Sequence, residues 1–207
     1  MGRRAGAGPP TLWDMTAPLV VLVSGAPGTG KTALLRELAP RLGLPVIAKD
    51  DIKESLGDTL GTSDLAWSKR LGAATWELLF LLYGKLLEGG TSFIAESNFS
   101  THNNQARFRS LMERFPFVPV EVHCFTDHAT IAERLRGRQA RRERHAVHHS
   151  AEFEATVTDE QIAELLPPLG HVPLDLSEHV LRVDTSGPEP LDLDGIVTYI
   201  RGVADGL

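Results

Sequence analysis

The sequence predicts a three-layer α/β/α fold in which helices cover both faces of a mainly parallel, five-stranded sheet and a helical lid sits at one end. Three observations lead there. Short apolar runs alternate with helical patterns of about ten residues or more, which calls for right-handed crossovers between parallel neighbours. The first run, Leu19-Val20-Val21-Leu22-Val23, is continuously apolar, as a strand covered on both faces must be. It is broken by Gly25-Ala26-Pro27-Gly28-Thr29-Gly30-Lys31-Thr32, which fits G-x-x-x-x-G-K-[ST] at every position and opens onto a helix.

The elements follow in order. Residues 1–18 are rich in Gly, Pro, Ala and Arg, lack a period and read as a flexible tail, with Met15 a second candidate start; residues 19–207 read as a single domain. After the first strand, Leu34, Leu35, Leu38 and Leu42 form one helical stripe. Pro45 to Ala48 predict a second strand, and Ile52 to Leu56 a short helix. Ser63, followed by Asp64, has the character of an N-cap to one long helix reaching Glu88, with Leu65, Leu71, Leu78, Leu81 and Leu82 among its apolar positions. Gly89-Gly90 stop it. Ser92 to Ala95 predict a third strand, residues 105–114 a helix, and residues 118–125 a fourth strand. An arginine-rich helix is expected over 130–144 and another over 159–166, closed by Pro167-Pro168. Val180 to Val183 form the fifth strand, and residues 193–203 the last helix. The lid is expected within 130–170.

Bulk properties narrow the function classes. A chain of 207 residues with 42% apolar content can bury a sizeable core. The formal charge of −6 provides no global positive field, so nucleic acid is the less favoured partner. The single cysteine, Cys124, excludes an internal disulfide and reads as a small buried hydrophobe. The run Leu19–Val23 is too short to span a bilayer, and the N-terminal stretch lacks the apolar centre of a secretory signal. The expectation is a cytoplasmic protein without membrane attachment.

The glycine-rich segment carries the chemistry. Its glycines allow a backbone curl that turns N–H groups onto phosphate oxygens, and the helix starting near Lys31 adds its positive end. Residues Gly25, Ala26, Pro27, Gly28, Thr29, Gly30, Lys31 and Thr32 are therefore expected to bind ATP. Lys31 would reach the β- and γ-phosphates, and the Thr32 hydroxyl would ligate Mg²⁺.

In a parallel sheet, ligands gather beyond the carboxyl ends of the strands. The second strand delivers Asp50 and Asp51 there, and the third delivers Glu96 and Asn98. Asp50 is favoured as the base that accepts the proton of an attacking hydroxyl, with Asp51 the alternative base, a residue that shares acceptor binding, or a cap of the helix from Ile52. Lys53 is positioned to neutralise an anionic part of the acceptor. Glu96 stands where a Walker B acid would hold Mg²⁺ through water or position the acceptor, and Asn98 could bond the acceptor. Arg134, Arg138 and Arg142 share one helical face, and from spacing alone Arg138 and Arg142 are the best candidates to neutralise a transferring phosphoryl group. His145, His148 and His149, with His123 and His171, match no structural-zinc spacing. Trp67, Trp76, Phe80 and Tyr83 could line an acceptor pocket, although such spacing more often fills a core.

Taken together, Gly25–Thr32, Lys49-Asp50-Asp51-Ile52-Lys53-Glu54, Ile94-Ala95-Glu96-Ser97-Asn98 and the arginine helix resemble the P-loop kinase-like ATPases over residues 19–187. That group includes polynucleotide 5′-hydroxyl kinases and small-molecule kinases such as chloramphenicol phosphotransferases and gluconate kinases. The resemblance implies ATP and Mg²⁺ use, Asp50 as general base, and Arg134 and Arg138 as the two lid arginines. Lys53 stands where the polynucleotide kinases carry an arginine that clamps a phosphate, and Glu96 replaces an aspartate; a bidentate clamp suffers from the first change. A small hydroxylated acceptor, such as an antibiotic, nucleoside or sugar, is therefore favoured. A polynucleotide 5′-hydroxyl, a nucleotide sugar as in zeta-type toxins, and a regulatory ATPase remain as alternatives.

Overall fold

The structure is a computed structural model and describes residues 17–165, 172–187 and 190–206. Most of the expected tail, the Pro167-Pro168 stop and His171 lie outside these residues. Strand β1 (Leu19–Ser24) runs into the glycine-rich loop and α1 (Lys31–Leu42). Strand β2 (Val46–Ala48) passes directly into α2 (Lys49–Leu60), and the long α3 (Leu65–Glu88) leads to β3 (Phe93–Glu96). A π-helical turn, Thr101–Gln105, opens α4 (Ala106–Arg114), which returns to β4 (Val118–Phe125). Helices α5 (His128–Ala140), α6 (Ala151–Thr156) and α7 (Asp159–Leu165) precede β5 (Val180–Asp184) and α8 (Leu193–Asp205).

Among the described residues, five parallel strands stand in the order β2-β3-β1-β4-β5. This is the three-layer arrangement expected from the sequence. Alternate β1 residues point to opposite faces, which is why the run is apolar throughout. Val21 and Val23 pack with Leu34 and Leu38 of α1 and Ile196 and Ile200 of α8. Val20 and Leu22 pack with Leu79, Phe80 and Tyr83 of α3 and Phe108 of α4. A third, smaller cluster joins Ile131, Ala132 and Leu135 of α5 to Val157 and to Ile162 of α7, away from the sheet.

Several boundaries and faces differ from the sequence expectation. The long helix is capped by Asp64, whose carboxylate accepts from the Trp67 N–H at 2.7 Å, and not by Ser63. Its buried stripe is Leu71, Thr75, Leu79, Phe80, Tyr83 and Leu87, whereas Leu65, Leu78, Leu81 and Leu82 are exposed. Phe80 and Tyr83 are therefore core. Helix α2 begins three residues earlier than expected, with Ala48 at the cap, so Asp50 and Asp51 both sit inside its first turn and Asp51 does not cap it. The arginine helix starts at an Asp127 cap bonded to the Thr130 N–H and ends at Ala140. Beyond it Arg142 takes a left-handed backbone, φ +53°, and the Glu143 N–H turns back to the Arg138 carbonyl at 3.2 Å.

Candidate active site

The glycine-rich loop connects β1 to α1 at the carboxyl rim of the sheet. Gly25, Gly28 and Gly30 have φ of +134°, +84° and +82°. At Gly25 a Cβ would lie 2.2 Å from the Cys124 carbonyl oxygen, so no other residue fits there. The Ala26 carbonyl holds the curl together: it accepts from Thr29 N–H at 3.3 Å, Thr29 Oγ1 at 2.8 Å and Lys31 Nζ at 3.0 Å. Gly30 caps α1 without a side-chain hydrogen bond, leaving the first-turn N–H groups to face outward. This cradle fits a polyphosphate: it combines converging N–H donors, a helix N-terminus and one ammonium.

A single cavity of about 1160 Å³ opens over this rim. That volume exceeds the roughly 300–1,000 Å³ of ordinary ligand pockets, leaving room for a nucleotide and a second ligand together. Gly28, Gly30, Lys31 and Thr32 of the loop line it together with Asp50 and Asp51 of α2, Glu96 and Asn98 at the end of β3, and Arg134, Arg138 and Arg144. Gly25, Ala26 and Thr29 shape the loop from beneath and do not line the cavity among the described residues.

Charge within the site is finely opposed. Burial pushes the Lys31 ammonium down, while Glu96 and Asp50 push it back up. Burial raises the Glu96 carboxyl, and Lys31 opposes that rise. Burial alone would also raise Asp50. Arg144, Lys49 and His148 more than reverse this and hold its carboxyl well below the usual carboxylate range. The Arg144 guanidinium donates to Asp50 Oδ2 at 2.8 Å, and Lys49 Nζ stands 3.7 Å from Oδ1. Asp51 is exposed at the cavity edge.

The arginines separate into three roles. Arg134 braces the loop, donating to the Gly28 carbonyl at 3.2 Å and to both the hydroxyl and the carbonyl of Thr185 beyond β5. Arg138 forms a two-pronged pair with Glu154 of α6 at 2.6 and 3.1 Å. Arg142, in a left-handed turn beyond the end of α5, does not line the cavity, although Arg141, Glu143 and Arg144 around it do. Arg144, which spacing did not single out, takes the place facing Asp50. Lys53 is likewise turned away: it is buried, donates to Ser68 Oγ of α3 at 2.9 Å, and does not line the cavity.

Asp50, Glu54 and His148 bring three donor atoms within 4.8 Å of one another, an arrangement that could coordinate a metal ion. His148 Nε2 lies 2.8 Å from Glu54 Oε1. His123 is elsewhere, fully buried beside Ser24 Oγ at 2.8 Å, with Glu121 completing the cluster. This Ser–His–Glu group is buried within β1 and β4 and does not line the cavity.

A parallel sheet of this order carrying this loop at its central strand defines the P-loop NTPase class. A family model described as "AAA domain" matches residues 20–168, and the chain belongs to that family. A protein of Chloroflexus aurantiacus J-10-fl described as a candidate kinase is similar at 33% identity and a TM-score of 0.79, covering 90% of this chain and 98% of that one. A gluconokinase from Sinorhizobium meliloti 1021 shares the fold at 15% identity and a TM-score of 0.52, covering 91% and 95% of the two chains. A sugar kinase from Janibacter sp. HTCC2649 does so at 16% identity and 0.51, covering 90% and 92%. No curated protein matches. No helix among the described residues is long and apolar enough to cross a membrane.

Proposed function

We propose that the protein is an ATP- and Mg²⁺-dependent kinase that transfers the γ-phosphoryl group to a hydroxyl of a small molecule. The observation that carries this reading is one cavity lined by Lys31 and Thr32 together with Asp50 and Glu96. Lys31 would bind the β- and γ-phosphate oxygens. Thr32 and Glu96 would hold magnesium, which when bound neutralises charge on those oxygens. Asn98 and Asp51 would orient the acceptor, and α5 to α7 would close over it as a lid.

In the transfer the acceptor oxygen bonds to the γ-phosphorus as the bond to the β–γ bridging oxygen breaks and ADP departs. The acceptor proton passes to Asp50. A carboxylate held this acidic keeps its charge at neutral pH, so it accepts a hydrogen bond from the hydroxyl and aligns it. It takes the proton late, once bond formation has made the oxygen a strong acid, which suits a loose transition state.

Incubation with γ-labelled ATP, Mg²⁺ and a panel of sugars, nucleosides, hydroxylated antibiotics and 5′-hydroxyl oligonucleotides tests the reading. Label on a small molecule is expected. Label on the oligonucleotide alone would make the protein a polynucleotide kinase. Label on nothing, with ATP-dependent binding to a protein, would make it a regulatory ATPase.

A further inference from the structure

Glu154 lies outside the cavity lining, yet it is buried and faces two of the cavity's arginines. Its Oε1 accepts from Arg138 Nη2 at 2.6 Å and from Ser150 Oγ at 2.7 Å, and its Oε2 accepts from Arg138 Nε at 3.1 Å. The Arg144 Nε lies 3.8 Å from the same carboxylate and is buried with no hydrogen-bond partner among the described residues. Arg144 in turn holds Asp50. One carboxylate on a six-residue helix thus stands between the cation above the phosphate cradle and the cation on the acceptor side.

We propose that Glu154 is a positioning residue that aims Arg138 at the transferring phosphate and keeps Arg144 in register with Asp50. The proposal rests on the kinase reading. Two arginines this close repel each other, and a buried anion between them removes that cost while the bidentate pair fixes the plane of Arg138. The remaining N–H donors of Arg138 are then left for a ligand. The unmade Arg144 bond leaves room for α6 to draw closer when that ligand arrives, since N–H···O bonds form near ~2.9 Å.

The test reads nucleotide discrimination and needs no acceptor. Affinities for Mg-ADP and for the Mg complex of a non-hydrolysable ATP analogue are measured by calorimetry for wild type, Arg138→Ala, Glu154→Gln and the double variant. Wild type is expected to prefer the triphosphate. Glu154→Gln should reduce that preference about tenfold, the worth of one misplaced charge-assisted contact. The double variant should lose no more than Arg138→Ala alone. Glu154→Asp should recover part of the loss, and Ser150→Ala, which keeps the charge, should give a smaller one and serves if Glu154→Gln does not fold. A purely structural Glu154 would lower the melting temperature and leave the preference intact. An unchanged preference in a folded Glu154 variant, effects that add fully to those of Arg138→Ala, or a wild type indifferent to the γ-phosphate would each overturn the proposal. Failure of every acceptor in the transfer screen would count against the kinase reading alone.

Discussion

Arg144 Nη1 donates to Asp50 Oδ2 at 2.8 Å, joining the segment after α5 to the first turn of α2 across 94 positions of sequence. The contact opposes the effect of burial on the carboxyl. In Arg144→Ala burial persists and only Lys49 and His148 counter it, so the Asp50 carboxyl should titrate at higher pH. The acid limb of the kcat/KM profile for phosphate transfer should then move up, from below the ordinary aspartate range of about 4. The sign for stability agrees. A carboxyl whose folded-state pKa is depressed contributes stability above its unfolded pKa and loses it as pH falls through the folded one. Melting curves of wild type should therefore approach those of Arg144→Ala as the pH drops below about 4. A limb that stayed in place would remove Asp50 from the chemical step.

Asp50 itself should be nearly silent in nucleotide binding and dominant in transfer. Asp50→Asn is expected to lower kcat by ~10²–10⁴, or roughly 3–5 kcal/mol, under saturating Mg-ATP and acceptor. Asp51→Asn should leave kcat within about tenfold. It should cost only about 0.3–1 kcal/mol of stability, because Asp51 is exposed and interacts with the α2 dipole without capping it. Single-turnover assays on both variants separate these outcomes. Loss of transfer in Asp51→Asn with near-normal Asp50→Asn would move the base to Asp51.

Lys31 places its ammonium 3.0 Å from the Ala26 carbonyl, inside the loop that it would share with phosphate oxygens. Lys31→Ala should weaken Mg-ATP binding by roughly 1.5–3 kcal/mol, the scale of a hydrogen bond to a charged group. Calorimetry reads this directly. Equal affinity in variant and wild type would dissociate the loop from nucleotide.

The phase of α3 makes a prediction that concerns stability alone. Leu79 is fully buried against Val20 and Leu22, while Leu81 is 58% exposed. Leu79→Ala should therefore cost about 2–5 kcal/mol in denaturant unfolding, and Leu81→Ala less than about 0.5 kcal/mol. Comparable losses at both positions would show that a partner covers the exposed face.

These contrasts show where sequence stops informing. Five strands were legible because each is a short apolar run flanked by turn residues, and the loop was legible because its spacing is chemically demanding. The burial phase of α3 was not: leucine occurs on both of its sides, and Ser68 and Thr75 are buried while Leu65 is not. Asp50, Glu96 and Asn98 could be placed because a parallel sheet sends every strand end to one rim. The partners of Asp50 and Arg138 could not be, since Arg144 and Glu154 reach them only through tertiary folding. Helical spacing alone extended α5 over Arg142. The chain instead leaves the helix at Ala140, where the Arg142 and Glu143 N–H groups turn back to the Gln139 and Arg138 carbonyls.

The central position of β1 also bears on how the molecule assembles. Val20 pairs with Phe93 on one side and with Pro119 on the other. During synthesis the most apolar segment therefore emerges long before either edge that will cover it. Closing loops this large precedes any reward from pairing, so the parallel pairing should form slowly and leave β1 vulnerable to intermolecular association until β4 is available. Truncation before Val118 would leave one edge of β1 permanently unpaired, and such a fragment should aggregate instead of binding nucleotide.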